Sequence, residues 1–165
     1  MNYDIVFESD RIYFIKVTDQ LVNDYLKMVN NFEIQKCISS KTRTYTLEQE
    51  LEWINNKLNE NAVIFSMIDK ETKKFIGNIE IMNIVNGSGV LGIVITPNQQ
   101  NKKFGQEAIK RIIDYAFDKL KFDYLDLYVF NFNLKAIHCY EKVGFRVIGK
   151  GKLENEIHMR LVNSK

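Results

Sequence analysis

The sequence predicts an α/β (α+β) fold, in which helices cover both faces of a mixed, twisted β-sheet. Segments with the apolar period of a helix alternate along the chain with short segments rich in β-branched and aromatic residues. Their order, β-α-α-β-β-β-α-β-α-β-β, is typical of layered α/β proteins. With 165 residues, 45% of them hydrophobic, the chain is predicted to form one domain spanning residues 1–165.

The N-terminal part is predicted to contain a strand followed by two helices. Arg11 to Val17 has the composition of a short strand. Helical spacing then connects the apolar residues Leu21, Tyr25, Met28, Val29 and Phe32. A second helix is predicted to begin at Thr46, because Glu48 and Glu50 are favourable near the positive end of a helix dipole. Its apolar face comprises Leu47, Leu51, Ile54 and Leu58.

Three strands are predicted in the middle of the chain. Ala62–Ile68 and Phe75–Ile84 flank a polar turn, which indicates a hairpin. A turn over residues 86–89 leads into Val90–Ile95, a continuous apolar run that predicts a strand buried on both faces. Pro97 ends this strand, because proline cannot donate to a sheet ladder.

Helices and strands alternate in the C-terminal part. A glycine at position 144 is well suited to end the second of the two helices predicted here. The predicted elements are a helix over Phe104–Leu120, a strand over Tyr124–Phe130, a helix over Asn133–Val143, and strands over Phe145–Gly149 and Glu156–Val162.

Composition argues against several classes of protein. A net charge of +2 with mixed signs is not the strong basic excess expected of a nucleic-acid-binding protein. No apolar run approaches the roughly 18 residues that cross a bilayer, and the first residues do not form a secretion signal. Two separated cysteines, Cys37 and Cys139, are expected to be reduced thiols, which favours a cytoplasmic location. With only two histidines, we expect no metal site.

The turn between the strand that Pro97 ends and the following helix is a candidate phosphate site. Free backbone N–H groups converge at the start of a helix, and the helix dipole adds positive potential there. Lys102 and Lys103 add formal charge to this turn. Many strand-to-helix turns bind nothing, so an ordinary solvated turn remains the alternative.

A second candidate group lies on the helix after the strand Tyr124–Phe130. Asn133, Ala136 and Tyr140 are spaced so that they share one face, and Asn133 is suited to cap the helix. A small residue on that face allows close approach of a ligand, and Tyr140 supplies a hydroxyl. The alternative is that Tyr140 packs in the core with its hydroxyl bonded to the backbone.

With these two groups in this order, the sequence resembles the GNAT superfamily of acetyl-CoA-dependent N-acetyltransferases. The resemblance covers nearly the whole chain. The segment Lys74 to Glu80 and the helix containing residues 135–138 are similar to the enzymes that acetylate ribosomal-protein N-termini and to the spermidine acetyltransferases. The resemblance implies the GNAT fold, with a mostly antiparallel sheet of about six to seven strands. It also implies acetyl-CoA as co-substrate and a primary amine as acceptor.

The resemblance also assigns roles to residues. The family's phosphate-binding pattern has glycine where this chain has Lys103, while Gln100 and Gly105 match. It implies that backbone groups of this turn bind the CoA pyrophosphate, that the strand binds the pantetheine arm through its backbone, and that the later helix lines the arm's far side. The implied CoA-binding residues are Ile93, Val94, Ile95, Gln100, Asn101, Lys102, Lys103, Phe104, Gly105, Gln106, Asn133, Ala136 and Tyr140.

For catalysis, the resemblance implies direct attack of the amine on the thioester, with Tyr140 protonating the leaving sulfur. The backbone of Ile93–Ile95 is the expected oxyanion donor. A glutamate that some family members carry on this strand is absent, and Glu80 on the neighbouring strand is the nearest acidic candidate for a base. A solvent-facing structural role for Glu80, and a water chain as base, both remain open.

Other functions remain open. Lysine at position 103 and the missing glutamate also fit a non-catalytic acyl-CoA sensor of the same fold. An enzyme that uses a longer acyl-CoA is a second alternative, and a nucleic-acid or purely structural domain a third. Among acceptors, a protein N-terminus is expected ahead of a small-molecule amine such as a polyamine. A homodimer is a further possibility, and no membrane partner is expected.

Overall fold

The computed structural model of the protein describes residues 2–39 and 41–164. Within these residues, eight strands form a sheet in the order β1-β2-β3-β4-β5-β6-β8-β7, and there are five α-helices. The strands are β1 (Ile5–Glu8), β2 (Ile12–Ile15), β3 (Val63–Asp69), β4 (Phe75–Val85), β5 (Ser88–Ile95), β6 (Tyr124–Phe130), β7 (Arg146–Lys150) and β8 (Glu156–Val162). The helices are α1 (Val22–Val29), α2 (Phe32–Ile38), α3 (Leu47–Asn59), α4 (Phe104–Asp114) and α5 (Leu134–Lys142).

The sheet is mixed, as predicted. β5 and β6 pair in parallel, whereas β1–β2, β2–β3, β6–β8 and β7–β8 pair antiparallel. The chain divides into two compact units. The N-terminal unit comprises the residues up to Glu80 together with Ile93–Phe104, and the C-terminal unit comprises Ile81–Gly92 and the residues from Gly105 onward.

The sheet has eight strands, whereas the sequence predicted about six to seven. The strand that was not predicted is β1. Its residues are mostly exposed, so they show no alternation of apolar and polar side chains. An irregular antiparallel ladder with β2 holds it, and the Phe7 ring stacks on Phe14 at 4.6 Å. Backbone pairing and the aromatic contacts of Phe7 with Phe14 and Phe65 thus stabilise a strand that the sequence pattern does not reveal.

The first predicted helix was wrong in its extent, because two helices occupy this segment. α1 ends at Val29, and Asn31 caps a separate helix, α2, by accepting a hydrogen bond from the Ile34 N–H at 3.1 Å. Phe32 therefore begins α2 with an exposed side chain instead of sharing the apolar face of α1. α3 begins as predicted, since Thr46 and Gln49 form a reciprocal capping box.

The core of the N-terminal unit lies between its helices and strands. A buried chain of polar groups crosses this core. The Tyr25 hydroxyl lies 2.6 Å from Ser66 Oγ, which lies 2.7 Å from Asn78 Oδ1. Burial raises the pKa of Tyr25 to about 12, so the hydroxyl stays protonated. The buried apolar residues are Ile15, Val17, Leu21, Tyr25, Met28, Ile34, Ile54, Ile64, Ile68 and Phe75.

The turn before β5 is shorter than predicted. Asn86 and Gly87 have φ values of 47° and 81°, as in a two-residue type I′ hairpin turn, so β5 begins at Ser88. The prediction that this strand is buried on both faces was wrong for its second half, because Ile93–Ile95 are only half-buried. The parallel ladder of β5 is confined to Ser88–Val90.

In the C-terminal unit, α4 gives way to a π-helical turn over Tyr115–Lys119, where the sequence predicted one continuous α-helix. Asn133 caps α5, and Gly144 follows it with a φ of 113° that favours glycine. Across β6 and β8, Asp126 accepts two hydrogen bonds from Arg160, at 2.6 and 3.0 Å. None of the helices in residues 2–39 and 41–164 is long and apolar enough to span a bilayer.

Candidate active site

The turn before α4 has an unusual backbone. Asn101 and Lys103 both have a φ of 64°, in the left-handed region. Asparagine tolerates this region, but for lysine it costs on the order of 1 kcal/mol relative to glycine. Lys103 thus occupies, under strain, the conformation that glycine adopts freely.

A backbone with these φ values is typical of turns that present successive N–H groups to one ligand. Successive N–H groups in turns that include left-handed residues form anion-binding concavities, and the first N–H groups of a helix have no intrahelical acceptor. Among the hydrogen bonds of residues 2–39 and 41–164, none uses the N–H of Lys102, Lys103 or Phe104. An anionic group such as a phosphate is the ligand that this arrangement suits.

Two side chains of the turn bond to neighbouring protein atoms. Gln100 Nε2 donates to the Ile95 carbonyl at 2.9 Å, and Lys102 Nζ donates to Gln99 Oε1 at 3.0 Å. Gln99 is itself buried. Gln100 therefore holds the turn onto the end of β5, whereas Lys102 bonds within the turn.

The end of β5 lies against β4 at unusually short range. A Cβ atom on Gly77 would collide with the backbone carbonyl of Val94, so only glycine fits at this position of β4. The Thr96 N–H donates to the Ile76 carbonyl at 2.9 Å just beyond. Gly77 thus fixes the position of Ile93–Ile95, the segment predicted to bind the pantetheine arm.

Glu80, the predicted base, is paired with a cation. Its Oε2 lies 3.4 Å from Lys57 Nζ on α3, and both side chains are about three-quarters buried, at 26% and 22% exposure. The open alternative of a solvent-facing residue therefore does not describe it. The ion pair occupies this carboxylate, so a substrate amine would have to compete with Lys57 for it.

The second candidate group lies on α5, in the C-terminal unit. Asn133 Oδ1 accepts from the Ala136 N–H at 3.4 Å, so this side chain acts as the helix cap. Tyr140, two turns later, is 8% exposed. Its ring packs edge-to-face with that of Phe145, with 6.0 Å between the ring centroids. Asn133, Ala136 and Tyr140 follow one another along one helix, as the spacing predicted.

One of the two cysteines, Cys139, is poorly suited to carry an acyl group. Burial raises the pKa of the Cys139 thiol, and the charge of Lys142 offsets this only in part. A thiol with a raised pKa is a poor nucleophile. Cys37 is exposed on α2. Among the described residues, no three His, Cys, Asp or Glu side chains come together as metal ligands would.

The sequence did not predict the burial of Glu50 or the contact of Arg11 with the turn. Glu50 is buried on α3, and burial raises the pKa of its carboxyl. Arg11 donates from Nη1 to the Lys102 carbonyl at 3.0 Å, although the two residues are 91 positions apart. No local pattern predicts this contact, since only the folded chain brings Arg11, just before β2, to the turn.

Comparison with known proteins identifies the family of this chain. The model of the acetyltransferase (GNAT) domain family matches residues 11–146. The spermidine N(1)-acetyltransferase of Vibrio cholerae is 32% identical over 136 residues, which cover 79% of this chain and 78% of the relative. The acetyltransferase PseH of Campylobacter jejuni is 29% identical over 139 residues, covering 84% of this chain and 85% of the relative.

Among solved structures, the crystal structure of the Vibrio cholerae spermidine N-acetyltransferase in complex with CoA and spermine has a TM-score of 0.85. It is 25% identical, and the match covers 95% of this chain and 98% of that one. An acetyltransferase of the same family from Bacillus anthracis has a TM-score of 0.83 at 19% identity, covering 94% and 96% of the two chains, and supports the fold alone.

Proposed function

Because the chain belongs to the GNAT family of acetyltransferases and uses acetyl-CoA as its donor, we propose that its acceptor is a primary amine of a polyamine such as spermidine. The similarity to the Vibrio cholerae spermidine N(1)-acetyltransferase, over more than three-quarters of both chains, carries this proposal. It reverses the order expected from the sequence, which set a protein N-terminus ahead of a small-molecule amine.

The donor is held chiefly by backbone groups. We infer that the N–H groups of Lys102, Lys103 and Phe104 bind the CoA pyrophosphate, with Gly105 and Gln106 completing the first turn of α4. The half-buried end of β5, Ile93–Ile95, binds the pantetheine arm and supplies an oxyanion donor. The exposed ammonium of Lys103 adds charge beside the phosphates.

The reaction is a direct transfer. The amine nitrogen attacks the thioester carbonyl carbon, and the carbon–sulfur bond breaks as the tetrahedral intermediate collapses. Tyr140 gives its proton to the departing sulfur, so CoA leaves as a thiol. The raised pKa of Cys139 supports a path without an acyl-enzyme.

The amine must lose a proton before it attacks. An aliphatic amine has a pKa of about 10.4, so most of it is protonated at neutral pH. The ion pair of Glu80 with Lys57 favours water as the immediate proton acceptor, with Glu80 in an electrostatic role. This arrangement predicts a rate that rises with pH as more of the polyamine becomes neutral.

An amine panel tests the acceptor. The panel contains spermidine, spermine, a free amino acid and a peptide with an unblocked N-terminus, each assayed for CoA release from acetyl-CoA. The proposal predicts the highest kcat/KM with a polyamine. A higher kcat/KM for the peptide contradicts it, and CoA binding without turnover of any amine supports the acyl-CoA sensor instead.

Assembly is a separate proposal. The predicted homodimer is compatible with self-association among relatives, since the Vibrio cholerae enzyme has been solved as a dodecamer. Light scattering at several protein concentrations tests it. A mass of one chain at all concentrations contradicts a dimer.

A further inference from the structure

The Arg11 side chain bridges the start of β2 and the anion-binding turn of residues 100–104. Its Nη1 donates to the Lys102 carbonyl at 3.0 Å, and its Cζ lies 4.4 Å from the centroid of the Phe104 ring. The Arg11 backbone is fixed as well, because its carbonyl accepts from the Lys70 N–H at 2.8 Å. The guanidinium is thus held between the carbonyl of one turn residue and the ring of another.

This contact fixes the orientation of a peptide plane. In a trans peptide, the carbonyl and the N–H that share the bond point in opposite directions. The carbonyl of Lys102 points to Arg11, so the N–H of Lys103 points to the other side of the plane. Rotation of this peptide would break the Arg11 hydrogen bond and turn the N–H of Lys103 away from its present direction.

The turn needs such a contact because position 103 is not glycine. Lys103 has a φ of 64°, which lysine adopts at a cost of about 1 kcal/mol or more. A turn under strain tends to relax by rotating its peptide planes, and an external hydrogen bond opposes that relaxation. The ring contact with buried Phe104 holds the guanidinium in place at the same time.

We propose that Arg11 is a positioning residue for the donor, which holds the Lys102–Lys103 peptide so that its N–H faces the CoA pyrophosphate. This inference rests on the proposed CoA-binding role of the turn. Arg11 acts through the backbone and does not touch the reacting atoms. It therefore affects the affinity for CoA and leaves the chemical step unchanged.

Three variants test the proposal by calorimetric titration with CoA. Arg11→Met keeps an apolar side chain over Phe104 but removes the donor and the charge. Arg11→Lys keeps a charge and a donor. Lys27→Met, on the exposed side of α1, removes one positive charge of the same unit as a matched control. Wild-type binding, measured first, tests the proposed function by itself.

Arg11→Met is expected to raise the Kd for CoA about tenfold, the effect of misaligning one charge-assisted hydrogen bond. Its kcat at saturating acetyl-CoA and its KM for the amine stay at wild-type values. Arg11→Lys retains most of the affinity, and Lys27→Met retains all of it. The loss of CoA affinity in Arg11→Met persists at high salt. Salt screens a long-range charge effect, but it does not screen the effect of a misplaced backbone N–H.

Two results overturn the proposal while leaving the proposed function intact. The first is a wild-type Kd in Arg11→Met. The second is a loss of CoA affinity that disappears at high salt or is equally large in Lys27→Met. Either outcome would assign the effect to the net positive charge of the protein. Failure of the wild-type protein to bind CoA overturns the proposed function itself.

Discussion

At the scale of single residues, Lys103 is where the proposed phosphate-binding turn departs from the family pattern. The sequence left open whether this position needs a positive φ. The value of 64° answers that question, so lysine here carries a conformational cost that glycine does not. Its exposed ammonium, however, adds positive charge beside the N–H groups that we propose to bind phosphate.

Two substitutions separate the backbone cost from the charge. Lys103→Gly relieves the left-handed strain, while Lys103→Ala keeps the Cβ atom and removes only the charged chain. We expect the glycine variant to exceed the alanine variant in free energy of unfolding by about 1 kcal/mol. Urea unfolding of both variants measures the difference. Equal stabilities would contradict the assignment of strain to Lys103.

Tyr140 is the proposed general acid of the transfer. Tyr140→Phe is expected to lower kcat about 10²-fold, the usual contribution of one general acid. The Kd for acetyl-CoA stays near the wild-type value because the ring remains. Tyr128→Phe, on an exposed ring that stacks on His158 at 4.5 Å, is the matched control. An unchanged kcat in Tyr140→Phe removes this residue from the mechanism.

At the scale of elements, Gly77 sets how close β4 lies to the end of β5. Gly77→Ala places a Cβ atom against the Val94 carbonyl, and the strands can separate only by breaking their pairing. We expect a loss of at least about 1–3 kcal/mol in the free energy of unfolding, together with weaker CoA binding. Gly149→Ala is the control, because nothing lies within 4 Å of its added Cβ. Similar melting temperatures for the two variants would argue against the close approach.

α3 carries a buried carboxyl whose ionisation destabilises the folded state. Burial raises the pKa of Glu50 above its ordinary 4.5, so the folded state binds this proton more tightly than the unfolded state does. Stability is therefore lost as pH rises from about 4.5 through the folded-state pKa. Glu50→Gln is expected to raise the melting temperature at neutral pH, with a gain that shrinks below about pH 4.5.

The exposed Glu52 on the same helix is the control for this pH dependence. Glu52→Gln is expected to leave the melting temperature nearly unchanged at both pH values, since substitutions at exposed positions usually have small effects. A loss of stability in Glu50→Gln at neutral pH would mean that the charged carboxylate has a stabilising partner.

For the whole molecule, the sequence predicted the elements that have strong local patterns and missed those that tertiary contacts create. The start of α3 was predicted to within one residue, because Thr46, which caps the helix, and the acidic residues of its first turn are local signals. β1 was missed, since only its pairing with β2 makes it a strand. Likewise, helical spacing predicts that one helix carries Asn133, Ala136 and Tyr140. It could not predict the contact of Arg11 with Lys102, because these residues are 91 positions apart in the sequence.

The central claim for the whole protein is the transfer of an acetyl group from acetyl-CoA to a polyamine. Mass spectrometry of the products formed from acetyl-CoA and spermidine tests it most directly, with the wild-type protein and Tyr140→Phe measured side by side. We predict catalytic formation of an N-acetylspermidine by the wild-type protein, with about 10²-fold less from the variant. Absence of acetylated spermidine from a wild-type protein that binds CoA would contradict the account.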